Sequence, residues 1–61
     1  MNQLKTEAED IVDFITANNT SKVINLKEYG VVLFRNIYNE AVINGLNINV
    51  LEKGKRYEIS R

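Results

Sequence analysis

Side chains able to do covalent or acid–base chemistry are sparse in this 61-residue chain, which has neither Cys nor His. Without thiols there is no disulfide and no thiolate nucleophile, and without imidazole the usual general base and every His/Cys zinc site are gone. Ser21, Ser60, the threonines and the lysines remain as nucleophiles, and none has a visible paired base. Glu9 and Asp13 fall on one helix face at i, i+4, where two carboxylates could touch a cation, but a solvated acidic face is the favoured explanation. Gly45 and Gly54 suit a helix end and a turn, and no Gly-rich phosphate loop exists. The expectation is a chain that is not an enzyme and takes no metal and no cofactor.

A second kind of chemistry, charge, gathers in residues 48–59, INVLEKGKRYEI, where Lys53, Lys55 and Arg56 surround a glycine. The flanking runs alternate apolar and polar, so the segment reads as a β-hairpin. A two-residue loop at Lys53-Gly54 sets Glu52 against Lys55, Val50 against Tyr57 and Ile48 against Ile59. That register puts Ile48, Val50, Tyr57 and Ile59 on one face, and a slip by one residue would scatter them.

The elements that must carry these groups fit one domain over residues 1–61. Thr6-Glu7-Ala8-Glu9 predicts a capping box at the start of a first helix, with Glu7, Glu9 and Asp10 in its first turn. Ala8, Ile11, Val12 and Ile15 form its apolar stripe, Phe14 widens it, and Asn18-Asn19 offers a stop. Residues 22–26 predict a short strand. Asn25 can cap the next helix with Glu28 as box partner, and Ile24 can staple onto Tyr29. That second helix is expected to run unbroken from Leu26 to Asn44, with Gly45 in the left-handed position after it. A strand over YGVVLF competes, because Gly30 is a poor helix former, but the caps and the regular stripe favour helix. The fold class is thus α+β, a small single domain in the order α-β-α-β-β, with two helices packed on a short antiparallel sheet ending in a C-terminal hairpin.

The second helix is apolar on more than one side. At about 100° per residue, Leu26, Gly30, Leu33, Phe34, Ile37 and Ala41 make the stripe that should face the core. Val31, Tyr38 and Val42 make a second stripe, and Val32 and Ile43 lie on a third flank. An ordinary surface helix has one apolar stripe and a polar back. Covering such a patch, roughly 300 Å² per chain, would contribute on the order of 7 kcal/mol before costs. A chain this short is also marginal alone, and with no Cys or zinc ligands association is the one available reinforcement. The expectation is a homodimer whose interface is Val31, Tyr38, Val42, Val32 and Ile43.

The helix, strand, helix and basic hairpin resemble a winged-helix domain over roughly residues 22–60. In that family the basic residues of the wing contact phosphate backbone, which here would fall on Lys53, Lys55 and Arg56. The resemblance departs in one place: that family has two helices between its first strand and the wing, and here one continuous helix is expected. A DNA-binding regulator is therefore the alternative. The first expectation is a small interaction protein that binds itself and an unidentified protein, modulating or inhibiting it. Tyr29, Tyr38 and Tyr57 suit such contacts, bringing area at little rotamer entropy. Eight basic residues balance eight acidic ones, so net charge favours no particular partner. Nine Asn and seven Ile suggest an AT-rich genome, as in low-GC bacteria and their phages, where an inhibitor of a host or defence protein would fit. No signal-peptide or membrane-spanning pattern occurs, which predicts a cytoplasmic protein without membrane contact.

Overall fold

A computed structural model describes the backbone of residues 3–61 and the side chains of residues 6–61. The elements are α1 (Gln3–Asn18), β1 (Ser21–Asn25), α2 (Leu26–Tyr29), α3 (Val31–Ile43), β2 (Asn47–Glu52) and β3 (Arg56–Ser60). Helices on a three-stranded antiparallel sheet give the expected α+β class, with one helix more than the sequence suggests.

The extra helix arises at Gly30, where φ is 87° and ψ 153°. Few L-residues adopt that backbone, and it interrupts the predicted continuous helix into a single turn, α2, and a longer α3. Asn25 caps α2 as expected: its Oδ1 accepts the Lys27 amide at 2.9 Å. One turn after this cap, Gly30 donates its amide to Leu26 O at 2.8 Å and the chain changes direction. The far end of α3 follows the sequence closely. Gly45 (φ 72°) donates to Val42 O at 3.1 Å and Leu46 to Ala41 O at 2.9 Å, the paired bonds of a Schellman cap. Leu46 is drawn into the core by that closure.

α1 begins at Gln3, so Thr6 lies inside the helix and is not its N-cap, and the first turn holds no acidic residue. Gln, Leu and Lys are good helix formers, and nothing at residues 3–5 stops the helix from extending past the apparent box. The stop is as expected, with Asn19 left-handed at φ 49°. From the other end of the chain, an Arg61 guanidinium N–H donates to Thr16 O at 3.1 Å, satisfying a carbonyl of the last turn.

The strand order is β1-β3-β2, so β3 is central. Ile48 pairs with Ile59 and Val50 with Tyr57, the predicted register, while β1 sets Ile24 beside Tyr57 on the other edge. The loop differs from expectation. Glu52 pairs with Arg56 rather than Lys55, and the register shifts between Val50 and Glu52. A two-residue loop would demand a positive φ from Lys53; instead three residues turn, with Gly54 at φ 78° taking the left-handed position.

The core draws Ala8, Val12 and Ile15 from α1, Ile24 from β1, Leu33, Ile37 and Ala41 from α3, and Leu46 and Ile59. Every described element except α2 and β2 therefore contributes a fully covered side chain. Phe14 does not join it: placed off the centre of the α1 stripe, it remains 56% exposed, contrary to the sequence expectation. Among the described residues no helix is long and apolar enough to cross a membrane.

Candidate functional site

The core residues of α3 recur at 33, 37 and 41, so helical geometry turns the opposite side outward. Its outward residues are Val31, Val32, Arg35, Tyr38, Asn39, Val42 and Ile43. Five of these seven are large and apolar or aromatic, with exposures of 58% for Val31, 60% for Val32, 43% for Tyr38, 55% for Val42 and 75% for Ile43. Both flanks singled out in the sequence are thus open to solvent in the single chain. Only Arg35 and Asn39 interrupt the surface, with half-buried Asn36 at its rim. Asn36 turns its amide back onto its own helix, donating to Val32 O at 2.9 Å.

The Val31–Tyr38–Val42 flank continues onto the hairpin through three aromatic rings. Phe34 stacks on Tyr57 with centroids 4.6 Å apart and meets Tyr38 edge-on at 6.1 Å. Tyr57 pairs across the sheet with Val50, which is exposed because β2 extends past the cover that the helices give Ile48 and Ile59. Tyr57 also fixes the hairpin tip, since its hydroxyl oxygen accepts the Gly54 amide at 2.9 Å. The sequence placed Val50 on one face with Ile48, Tyr57 and Ile59. It does lie on that face, but beyond the core, an effect of strand length that alternation cannot show.

Between the hairpin tip and the α2–α3 bend lies a cleft of about 560 Å³. Lys27, Lys55 and Arg56 line it together with Glu52 and Val31. Lys55 O accepts the Leu26 amide at 2.8 Å, tying the tip to the start of α2. Arg56 Nε sits 3.3 Å from Glu52 Oε1, both side chains about half exposed, so the predicted cationic cluster is partly neutralised from within. Lys53 and Lys55 remain as exposed cations without such a pairing among the described residues.

Glu9 and Asp13 are exposed on α1, and the described residues contain no group of three or more acidic side chains placed to hold a metal ion. No buried side-chain polar atom lacks a hydrogen bond among the described residues, so none marks a hidden ligand site. What the arrangement offers is contact surface: a greasy helix face joined to an aromatic ridge, and beside it a small basic cleft. No family model matches the chain, and no curated protein or solved structure matches it.

Proposed function

We propose that this protein is a small, non-catalytic interaction module that self-associates through the exposed face of α3 and binds and modulates a second protein. The observation that carries this reading is the outward side of α3, where Val31, Val32, Tyr38, Val42 and Ile43 stand in water. Aligned apolar residues on one element favour coverage by another protein, because burial releases water at about 25 cal/mol per Å². The face has two rims. The Val31–Tyr38–Val42 rim continues into the aromatic ridge and serves self-association, while the Val32–Ile43 rim is available to the other partner. Inhibition of a host or defence protein by a phage-encoded chain acting in the cytoplasm fits this size and chemistry.

The test compares proteins captured from a cell lysate by the wild type and by Val32→Glu/Ile43→Glu. A partner held by the wild type and lost by the variant supports the reading; identical capture by both removes the second rim from it.

One observation favours a second reading. The break at Gly30 leaves two helices between β1 and the hairpin, the first a single turn, which lessens the departure from the winged-helix resemblance. In that reading Lys53 and Lys55 contact phosphates, and Arg35 and Asn39, chemically suited to base edges, face a groove. Two lysine contacts per chain give a salt slope of only about −2 on a log–log plot. Five apolar side chains on the would-be reading helix are the reason it ranks second. Anisotropy titration with a fluorescent duplex at low salt distinguishes the two: binding abolished by Lys53→Glu/Lys55→Glu supports DNA contact, and no binding by the wild type excludes it.

A further inference from the structure

We infer that two copies of this chain pair through antiparallel α3 helices in one register, with Arg35 of each copy seated on Tyr38 of the other. This rests on the proposed self-association and adds its geometry. Along the rim beside the hairpin, Val31, Arg35, Tyr38 and Val42 are spaced by four, three and four residues, all outward-facing. Alternating threes and fours keep a seam on one side of a helix and allow close packing against a second helix.

The seam is symmetric about its own midpoint, which falls between Asn36 and Ile37. Turning a second copy end for end about that point sets Val31 opposite the partner's Val42 and Arg35 opposite the partner's Tyr38. A two-fold contact must be self-complementary, with each pairing occurring twice, and this seam meets the condition: two valine pairs flank two cation–aromatic pairs. A parallel pair would instead place Arg35 against Arg35, two like charges in contact. Arg35 is available for the role, because it has no ion-pair partner among the described residues. Tyr38 is held from behind by its edge-on contact with Phe34, so its ring is already positioned.

The area such a contact needs is large for this chain. A standard interface takes about 800 Å² from each partner, close to a fifth of this chain's 4305 Å². The seam alone falls short of that, and exposed Val50, adjoining through the Phe34–Tyr57 stack, extends it along the hairpin. The opposite rim has similar spacing at Val32, Asn36, Asn39 and Ile43. It lacks that extension, and its Asn36 amide is already committed to the helix backbone.

Cysteine pairing tests the register directly, because the chain has no cysteine of its own. Val31→Cys and Val42→Cys are made singly, and circular dichroism confirms the wild-type fold. Each variant, and an equimolar mixture, is then oxidised with copper–phenanthroline. The proposal expects disulfide-linked dimers in the mixture at several times the yield of either variant alone. Linkage of Val31→Cys to itself at equal yield overturns the antiparallel arrangement. Efficient linkage in a Val32→Cys plus Ile43→Cys mixture, with none in the first, moves the seam to the other rim and overturns the register while leaving α3 as the interface. A wild type that sediments as a monomer overturns the underlying self-association itself. Arg35→Ala and Tyr38→Ala should each weaken the dimer about tenfold, and the double variant little more than either, because both remove the same contact; fully additive losses would overturn the Arg35–Tyr38 pairing.

Discussion

Replacing Val42 with glutamate separates what the chain needs to fold from what it needs to associate. Val42 lies on α3 with 55% of its surface in solvent. Complete burial of a valine contributes about 1.5–3 kcal/mol, so covering the exposed half is worth about 1 kcal/mol per copy. Two-fold symmetry counts the loss twice. The introduced carboxylates would also have to shed water against apolar neighbours, at about 1–3 kcal/mol each even where some water remains. Together these terms weaken the dimer by about 4–8 kcal/mol, a factor of roughly a thousand or more in Kd. The isolated fold should barely notice. Glutamate is the better helix former, its place in the last turn opposes the helix dipole, and the two effects offset to within about 0.5 kcal/mol. Ile37→Ala is the contrasting control. Its side chain is fully buried, and its truncation should remove about 2–5 kcal/mol of fold stability. Light scattering reads mass, and circular dichroism melts on dilute protein read the fold. A Val42→Glu variant that keeps the wild-type mass, or that unfolds as Ile37→Ala does, refutes the reasoning.

Gly30→Ala should lower stability by about 1–2 kcal/mol from backbone strain at φ 87°. An added Cβ there meets nothing within 4 Å, so the loss comes from the backbone alone, and an unchanged melt would contradict the strain assigned to φ 87°. Tyr57→Phe keeps the stack on Phe34 but loses the bond from Gly54, and should cost no more than about 1 kcal/mol. Its signature is faster amide exchange at Gly54, and unchanged exchange would contradict the role given to the hydroxyl. Lys53→Glu/Lys55→Glu should leave both the melt and the dimer mass unchanged, since these side chains are exposed at the tip; a fall in mass would draw the tip into the interface.

Much of the fold was legible because period and caps agreed. The Asn25 cap, the Gly45 closure, the Ile48–Ile59 and Val50–Tyr57 pairs and the Leu33–Ile37–Ala41 stripe all follow from local chemistry. The differences arise where local spacing does not decide the outcome. Thr6 and Glu9 had box spacing, but residues 3–5 extended the helix through them. Gly30 fitted the apolar stripe of a continuous helix, and periodicity does not report that a glycine has left helical φ/ψ. Lys53-Gly54 suggested a two-residue loop, which would need a positive φ at Lys53; only Gly54 takes one, and the turn extends to Lys55. Phe14 and Val50 lay on roughly the right faces but beyond the reach of the elements meant to cover them. The candidate surface was legible at its α3 residues because their number exceeded what one sheet and one helix can shelter. The aromatic ridge that joins it to the hairpin was not, since the Phe34–Tyr57 stack depends on tertiary placement.

Self-association through the outward side of α3 is the claim on which the rest depends. Sedimentation equilibrium of the wild type at micromolar concentration, at moderate salt, measures it directly. The predicted result is a species of twice the 7.0 kDa chain mass that dissociates on dilution. A single 7.0 kDa species across the whole concentration range would contradict it.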